Sequence, residues 1–258
     1  MLMQLLDLDA VVQAPMLEEA LDIVAGLART AGPRRILDVG AGTGTGAIAL
    51  ARRFATAEVV AVDIDERMLD RVRTRALAEG VNDRVRTVEA DVASDTPQLG
   101  VADMAWASAA LHETPDAGLA FRNIFDALLP GGHLIVVAMD APPLVLPEAS
   151  AEWKARVRAA GGSPAADHPD WTSALHAAGF EMVLTRSLVT DRRMPADGPA
   201  GDYAALELRR VGHATMSTLS ASDQSTLMTL AGDHIGNVRE LGELWIRGTR
   251  TLWAAQRP

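Results

Sequence analysis

The chain has 258 residues, 48% of them apolar, and a formal net charge of −10. That length supports one large domain with a substantial core, the apolar fraction predicts a folded chain, and the negative charge excludes nonspecific binding to nucleic acid or anionic lipid. Cysteine is absent, which removes disulfides, thiolate nucleophiles and cysteine–zinc sites; the only lysine is Lys154, so P-loop chemistry has no residue and Schiff-base chemistry a poor one.

Residues from about Asp9 to Ala28 read as one helix, with Val12, Met16, Ala20, Ile23, Val24 and Leu27 at helical spacing and a stop at Ala31-Gly32-Pro33. The start of the chain carries Asp7 and Asp9 and no basic stretch, and no apolar run approaches the ~18 residues of a membrane span. The expected location is cytoplasmic, with no membrane partner.

Ile36-Leu37-Asp38-Val39 reads as a short buried strand, and Gly40, Gly42, Gly44 and Gly46 follow at every second position before Ala47, Ile48, Leu50 and Ala51 open a helix. Strand, glycine turn and helix form the first unit of a doubly wound sheet. Glycine permits the turn and a close ligand approach. The helix N-terminus behind it offers N–H groups and a positive dipole end to an anion. Two patterns overlap here. Residues 42–47 fit the dinucleotide spacing G-x-G-x-x-A, whereas from Asp38 the stretch is D-x-G-x-G-x-G. A carboxylate at the strand end gains nothing from a pyrophosphate but would attract a cation; its alternative role is to cap the turn.

Val59-Val60-Ala61-Val62 is a continuous apolar run, typical of a parallel strand buried on both faces. It ends in Asp63, at the spacing from the glycine turn where a ribose-binding carboxylate belongs. Asp65 reads as the N-cap of the next helix, which carries Met68, Leu69 and Val72, and Ile64 and Met68 are placed to pack on an adenine. Arg84 to Val92 forms the third strand and its end. Val101 to Trp106 forms the fourth, followed by Ala107-Ser108-Ala109-Ala110-Leu111-His112-Glu113 and a helix from Gly118 to Leu128. Leu129-Pro130-Gly131-Gly132 turns into a fifth strand through Val137.

The order of these motifs resembles the class I S-adenosylmethionine-dependent methyltransferases, with specific motifs from about Ile36 to Met139 and a looser likeness beyond. The resemblance implies a Rossmann-like α/β sheet of seven strands, the last antiparallel, and S-adenosylmethionine as cofactor with S-adenosylhomocysteine as product. It implies that Asp38 lies near the cofactor's amino group, that Gly40, Ala41, Gly42 and Gly44 form the binding turn, and that Asp63 takes the ribose. Asp91 and the Val92 N–H would meet the adenine, with Ile64, Met68 and Ala107 beside the cofactor. The segment after the fourth strand passes the transferable methyl in this fold, which makes His112 the candidate base, since imidazole exchanges protons near neutrality; its alternative role is to order the loop. Glu113 is expected to face another way. His168 and His176 are weaker candidates, and His133, His213 and His234 read as structural or surface residues.

Past Met139 the chain is less diagnostic. Residues 148–160 and 169–178 read as helices, Phe180 to Thr190 as a strand, Tyr203 to Leu219 and Ser220 to Ala231 as helices, and Leu244 to Ala255 as the final strand. Ser220 with Asp223 forms a capping-box-like start. The whole chain reads as one domain. The resemblance implies that residues 1–32 are a helical cover over the cofactor, the alternative being a helix that only packs on the sheet, and 141–168 and 199–237 read as insertions that interrupt the βα alternation and cover a substrate. Trp153, Trp171 and Met194 either line an apolar acceptor pocket or pack the core.

The position after the fifth strand holds Asp140-Ala141 rather than an Asp-Asn pair, so no metal is implied. Trp106-Ala107-Ser108-Ala109 does not match the Pro-Pro-Tyr segment of enzymes that methylate adenine or glutamine. The expected partner is a small organic acceptor, aromatic ones included, and not nucleic acid. The sequence leaves the methylated atom and the oligomeric state open, a homo-oligomer included. Two other classes fit parts of the pattern: a NAD-dependent oxidoreductase, and an S-adenosylmethionine-binding protein that does not transfer methyl, such as a cyclase.

Overall fold

The computed structural model describes residues 1–28, 32–140, 145, 151–160 and 171–258, apart from the side chains of residues 151 and 158. The chain divides into two compact units. A sheet unit takes residues 17–139, 168–188 and 250–258, and a helical unit takes 1–16, 140–167 and 189–249. The segments expected to cover a substrate fall mostly in the helical unit.

The elements in chain order are α1 (Leu2–Val12), α2 (Ala14–Leu27), β1 (Arg35–Val39), α3 (Thr45–Arg53), β2 (Glu58–Asp63), α4 (Glu66–Ala78), β3 (Val85–Glu89), β4 (Ala102–Ser108), α5 (Ala117–Ala127), β5 (Leu128–Met139), α6 (Ala151–Ala160), α7 (Trp171–Ala177), β6 (Glu181–Pro195), α8 (Pro199–Thr215), α9 (Ala221–Ala231) and β7 (Glu243–Gln256). The sheet has seven strands in the order β3-β2-β1-β4-β5-β7-β6. β2, β4 and β3 run parallel to their neighbours, whereas β7 pairs with β5 antiparallel, from His133 opposite Gln256 to Met139 opposite Arg250. The seven-stranded sheet with an antiparallel last strand matches the expectation. Strand order reverses between β1 and β4, and in such sheets ligands bind beyond the carboxyl ends of the strands at that point.

Continuous apolar runs make the central strands. Val59, Val60, Ala61 and Val62 are all buried, as a strand covered on both faces requires. One core of the sheet unit joins Leu37, Val39, Val60 and Val62 to Phe121 and Ile124 of α5 and Trp171 of α7. Trp171 meets Phe121 edge-on at 5.3 Å, so it belongs to this core. Asp65 caps α4 by accepting from the Arg67 N–H at 2.9 Å, as expected. The expected turn at 129–132 takes another form: Ala102 pairs with Leu128 and Met104 with His133, so those four residues loop out of β5.

The helical unit has its own core, built from Val12, Trp153, Val157, Tyr203, Ala204, Leu208, Leu227 and Ile246. Trp153 belongs there and Met194 packs against it. The single N-terminal helix of the sequence reading is two helices, parted at Gln13. Pro15 has no N–H for the Val11 carbonyl, and its ring opposes a continuous helix. Arg192 donates to that carbonyl at 2.9 Å. Ser220 accepts from the Asp223 N–H at 3.1 Å and caps α9 as expected. β6 and β7 are longer than predicted and are shared, with 189–195 and 243–249 in the helical unit.

Gly201 in the first turn of α8 supplies the strongest packing constraint here. A Cβ at this position would lie 1.8 Å from the Ala196 carbonyl oxygen. Glycine to alanine in a helix ordinarily stabilises by up to ~1 kcal/mol; here the sign reverses, because backbone must move. Gly201→Ala is expected to destabilise by roughly 2 kcal/mol or more, a melting temperature lower by about 4–8 °C. An unchanged or higher melting temperature would show that α8 slides to make room.

Candidate cofactor site

The glycine turn between β1 and α3 is fixed almost entirely by its neighbours. Gly40, Gly42 and Gly44 have φ of +67°, +51° and +86°, in the left-handed region that favours glycine. The Gly40 and Ala41 N–H groups both donate to the Val62 carbonyl, at 2.8 and 2.9 Å, and the Gly44 N–H donates to the Ala41 carbonyl at 2.9 Å. The Gly42 N–H donates to Asp63 Oδ2 at 2.8 Å, while Asp63 Oδ1 accepts from the Asp65 N–H at 3.0 Å. Four N–H groups of the turn, those of Gly40, Ala41, Gly42 and Gly44, are therefore committed inside the protein.

Asp38 ends up beneath this turn. It is 2% exposed. The Ala47 N–H in the first turn of α3 donates to its carboxylate, and burial pushes its pKa up to about 7, opposed by that N–H and aided by the nearby charge of Asp63. The anion at this helix end is thus the protein's own side chain. Asp38 Oδ2 is buried without a hydrogen-bond partner, as is Trp106 Nε1 of β4. Both atoms would lie 2.9 Å from a Cβ on Gly46, so this fourth glycine makes room for them.

The segment after β4 packs directly on the turn. A Cβ on Gly40 would stand 2.3 Å from the Ala110 Cβ. Ala109 is the one non-glycine residue with positive φ among the described residues, at +52°, and its N–H donates to the Val137 carbonyl at 2.8 Å. Such backbone strain in a non-glycine residue persists only where surroundings enforce it. A single 3-10 turn, Leu111–Glu113, follows, with Leu111 buried and the His112 side chain 48% exposed. Glu113 does not face away as expected: its Oε1 lies 3.1 Å from His112 Nε2. Two exposed neighbours on one tight turn can reach each other in solvent at little net gain.

The remaining candidates scatter around the strand ends. Asp91 is exposed beyond β3 and accepts from the Ala93 N–H at 2.8 Å, and Val92 follows it, half-buried against the core. Ile64 is 69% exposed, whereas Met68 and Ala107 are buried. His176 is exposed on α7, and His168 lies outside the described residues. Among the described residues no group of three or more His, Asp or Glu is arranged to hold a metal, and no helix is long and apolar enough to cross a membrane. The sequence reading gave no site role to Ala110 or Trp106 and saw Gly46 only as part of the turn, not as clearance for Asp38 and Trp106. Of these only the small-residue pair Ala109-Ala110 left a local sign, since indole position and glycine clearance depend on strands far apart in sequence.

Residues 36–132 match a family model described as a methyltransferase domain. Among curated proteins, the chain is 37% identical over 106 residues to a trans-aconitate 2-methyltransferase of Variovorax paradoxus, covering 41% of this chain and 39% of that protein. It is 35% identical over 117 residues to a demethylmenaquinone methyltransferase of Thermus thermophilus, covering 45% and 52%. The chain thus spans about half the length, or less, of these relatives. Among solved structures, the [4+2]-cyclase SpnF aligns with a TM-score of 0.58 at 20% identity, covering 92% of this chain and 80% of that one; a likeness at that identity concerns the fold.

Proposed function

We propose that this chain, whose residues 36–132 match a methyltransferase domain, is a class I S-adenosylmethionine-dependent methyltransferase that transfers a methyl group from S-adenosylmethionine to a small organic acceptor. The observation that carries the reading is the donor balance of the turn. The N–H groups of Gly40, Ala41, Gly42 and Gly44 are committed internally, while Asp38 keeps an unpartnered buried oxygen and Asp63 keeps lone pairs beside the turn. Two carboxylates beside four committed N–H groups suit a ligand with a cationic amino acid end and a ribose better than a pyrophosphate.

When bound, S-adenosylmethionine supplies a methyl group already activated on a sulfonium. What remains for the protein is alignment, and positioning alone can supply up to ~7–11 kcal/mol of a barrier. Asp63 would accept from the ribose hydroxyls, Asp38 would supply negative potential beneath the amino end, and Asp91 with Val92 would meet the adenine. His112 would take the proton that an acceptor hydroxyl or acidic carbon must lose. Acceptor recognition is assigned to residues 141–168 and 199–237, which lie outside the 36–132 family match. Both relatives named above carry a small molecule in their names, which favours a small acceptor here. The proposal excludes nucleic acid on the net charge of −10 and places the reaction in the cytoplasm.

Calorimetry of the full chain with S-adenosylmethionine, S-adenosylhomocysteine and NAD tests the cofactor. Binding of the first two is expected; tight NAD binding with neither of them bound would overturn the reading. With a candidate acceptor, a product heavier by one methyl group is expected, and an unchanged mass with a new structure would indicate rearrangement instead. Asp63→Ala should weaken S-adenosylmethionine binding by roughly ten-fold or more, through lost charge-assisted hydrogen bonds and the freed Gly42 N–H; unaltered affinity in the folded variant would place the ribose elsewhere.

A further inference from the structure

The glycine turn is gripped from α4 as well as from β2. Arg75 Nη1 donates to the Thr43 carbonyl at 3.0 Å, and lies 3.1 Å from Thr45 Oγ1 and 3.3 Å from Thr43 Oγ1. Thr43 is 2% exposed, so these bonds form away from bulk water, where they are stronger. One turn earlier on the same helix face, Val72 closes over Gly44: a Cβ there would meet Val72 atoms at 3.0–3.2 Å. Gly44 is the N-cap of α3 and has no side chain with which to cap it. The first turn of α3 is instead tied down through the two threonines that flank Gly44, by a cation on another helix.

We propose that Arg75 is a positioning residue for the cofactor, holding Thr43 and Thr45 so that the glycine turn keeps its binding shape when the site is empty. The inference rests on the cofactor reading above. Its physical content is preorganisation: a turn with three left-handed glycines has many other conformations open to it, and binding to a turn that must first be ordered is weakened by the fraction of time it is misshapen. Asp63 fixes one point of the turn, Gly42, and Arg75 fixes the next stretch, 43–45. All three contacts are made by the one nitrogen Nη1; a lysine in place of Arg75 keeps the charge and three N–H donors, but on a shorter, unbranched stem that does not bring its ammonium to the same point.

The test is a titration of S-adenosylmethionine by calorimetry on wild type, Arg75→Ala, Arg75→Lys and Thr45→Val, each checked for folding by circular dichroism, with steady-state kinetics beside it. Affinity should fall roughly ten-fold or more for Arg75→Ala and by an intermediate factor for Arg75→Lys and Thr45→Val. The KM for S-adenosylmethionine should rise while kcat at saturation stays within about two-fold. Amide exchange of residues 43–47 in the cofactor-free protein should quicken in Arg75→Ala. A purely structural arginine would lower the melting temperature without this split. Should Arg75→Ala fail to fold, the Arg75→Lys and Thr45→Val pair carries the test. Wild type that binds while the folded variants bind within two-fold of it overturns the role of Arg75 alone; wild type that does not bind overturns the cofactor reading itself.

Discussion

Replacing His112 with alanine should lower turnover by ~10²–10⁴, the usual contribution of one acid–base group, while S-adenosylmethionine affinity stays within a few-fold of wild type. Ala109 in a strained left-handed conformation and Ala110 against Gly40 carry the chain from β4 past the glycine turn, and His112 follows two residues later. Its side chain is 48% exposed, and Glu113 at 3.1 Å is the neighbour that orients it. Glu113 is 80% exposed, so it steers the ring weakly and leaves it able to turn toward an acceptor. Glu113→Gln should therefore cost far less turnover than His112→Ala. A nitrogen acceptor that is already neutral needs little base, and with such an acceptor the loss would be small. Turnover and affinity on the same folded variant decide the matter: weakened cofactor binding with unaltered turnover at saturation would move His112 from the reacting end to the cofactor.

Asp38→Asn should make the empty protein more stable at pH 8 and the cofactor complex weaker. The Asp38 carboxyl is raised from 3.8 to about 7 chiefly by burial, so the folded protein binds this proton more tightly than the unfolded chain does. The sign follows from linkage: the contribution to stability is fully present below the unfolded value near 4 and is lost as pH rises through 7. Across that window the loss is on the order of 4 kcal/mol. Asparagine keeps an oxygen for the Ala47 N–H and has no charge to desolvate, so the variant should lose most of this pH dependence and melt higher than wild type at pH 8. Its affinity for S-adenosylmethionine should drop by roughly ten- to a hundred-fold, since a cation recovers nothing from a neutral amide. Melting curves from pH 4 to 8 with and without cofactor check both halves. A variant less stable than wild type at pH 8, or one that binds the cofactor equally well, would show that Asp38 does not act through its charge.

What the sequence made legible was what is local or periodic. The apolar run 59–62, the glycine spacing from Gly40 to Gly46, Asp63 at its distance from the turn, and the caps Asp65 and Ser220 each lie within a few residues of the element they define. Contacts that join distant stretches were not legible. Arg75 stands 32 positions from Thr43, and nothing in an exposed-looking arginine on an amphipathic helix says that it reaches a turn. The commitment of the turn's N–H groups to Val62 and Asp63 likewise depends on how β1 and β2 register. Pro15 lies beside the break at Gln13, but the apolar spacing continues across it and so reads as one helix. The reach of β6 to Pro195 was hidden because its buried positions are few and irregular, which leaves no clean alternation to follow.

The contact between Gly40 and Ala110 sets a rule for anyone who would retune the proposed activity. A library that randomises residues 109–113 to admit a different acceptor is the natural design, given where that segment runs. Yet a Cβ added at Gly40 already falls 2.3 Å from the Ala110 methyl, so the two positions share a space that holds one small group. Larger side chains at 110 would press on the turn and be scored as dead clones for loss of cofactor, whatever they did for the acceptor. Position 110 should be held at alanine or glycine, with diversity confined to its neighbours, so that selection reads acceptor preference alone.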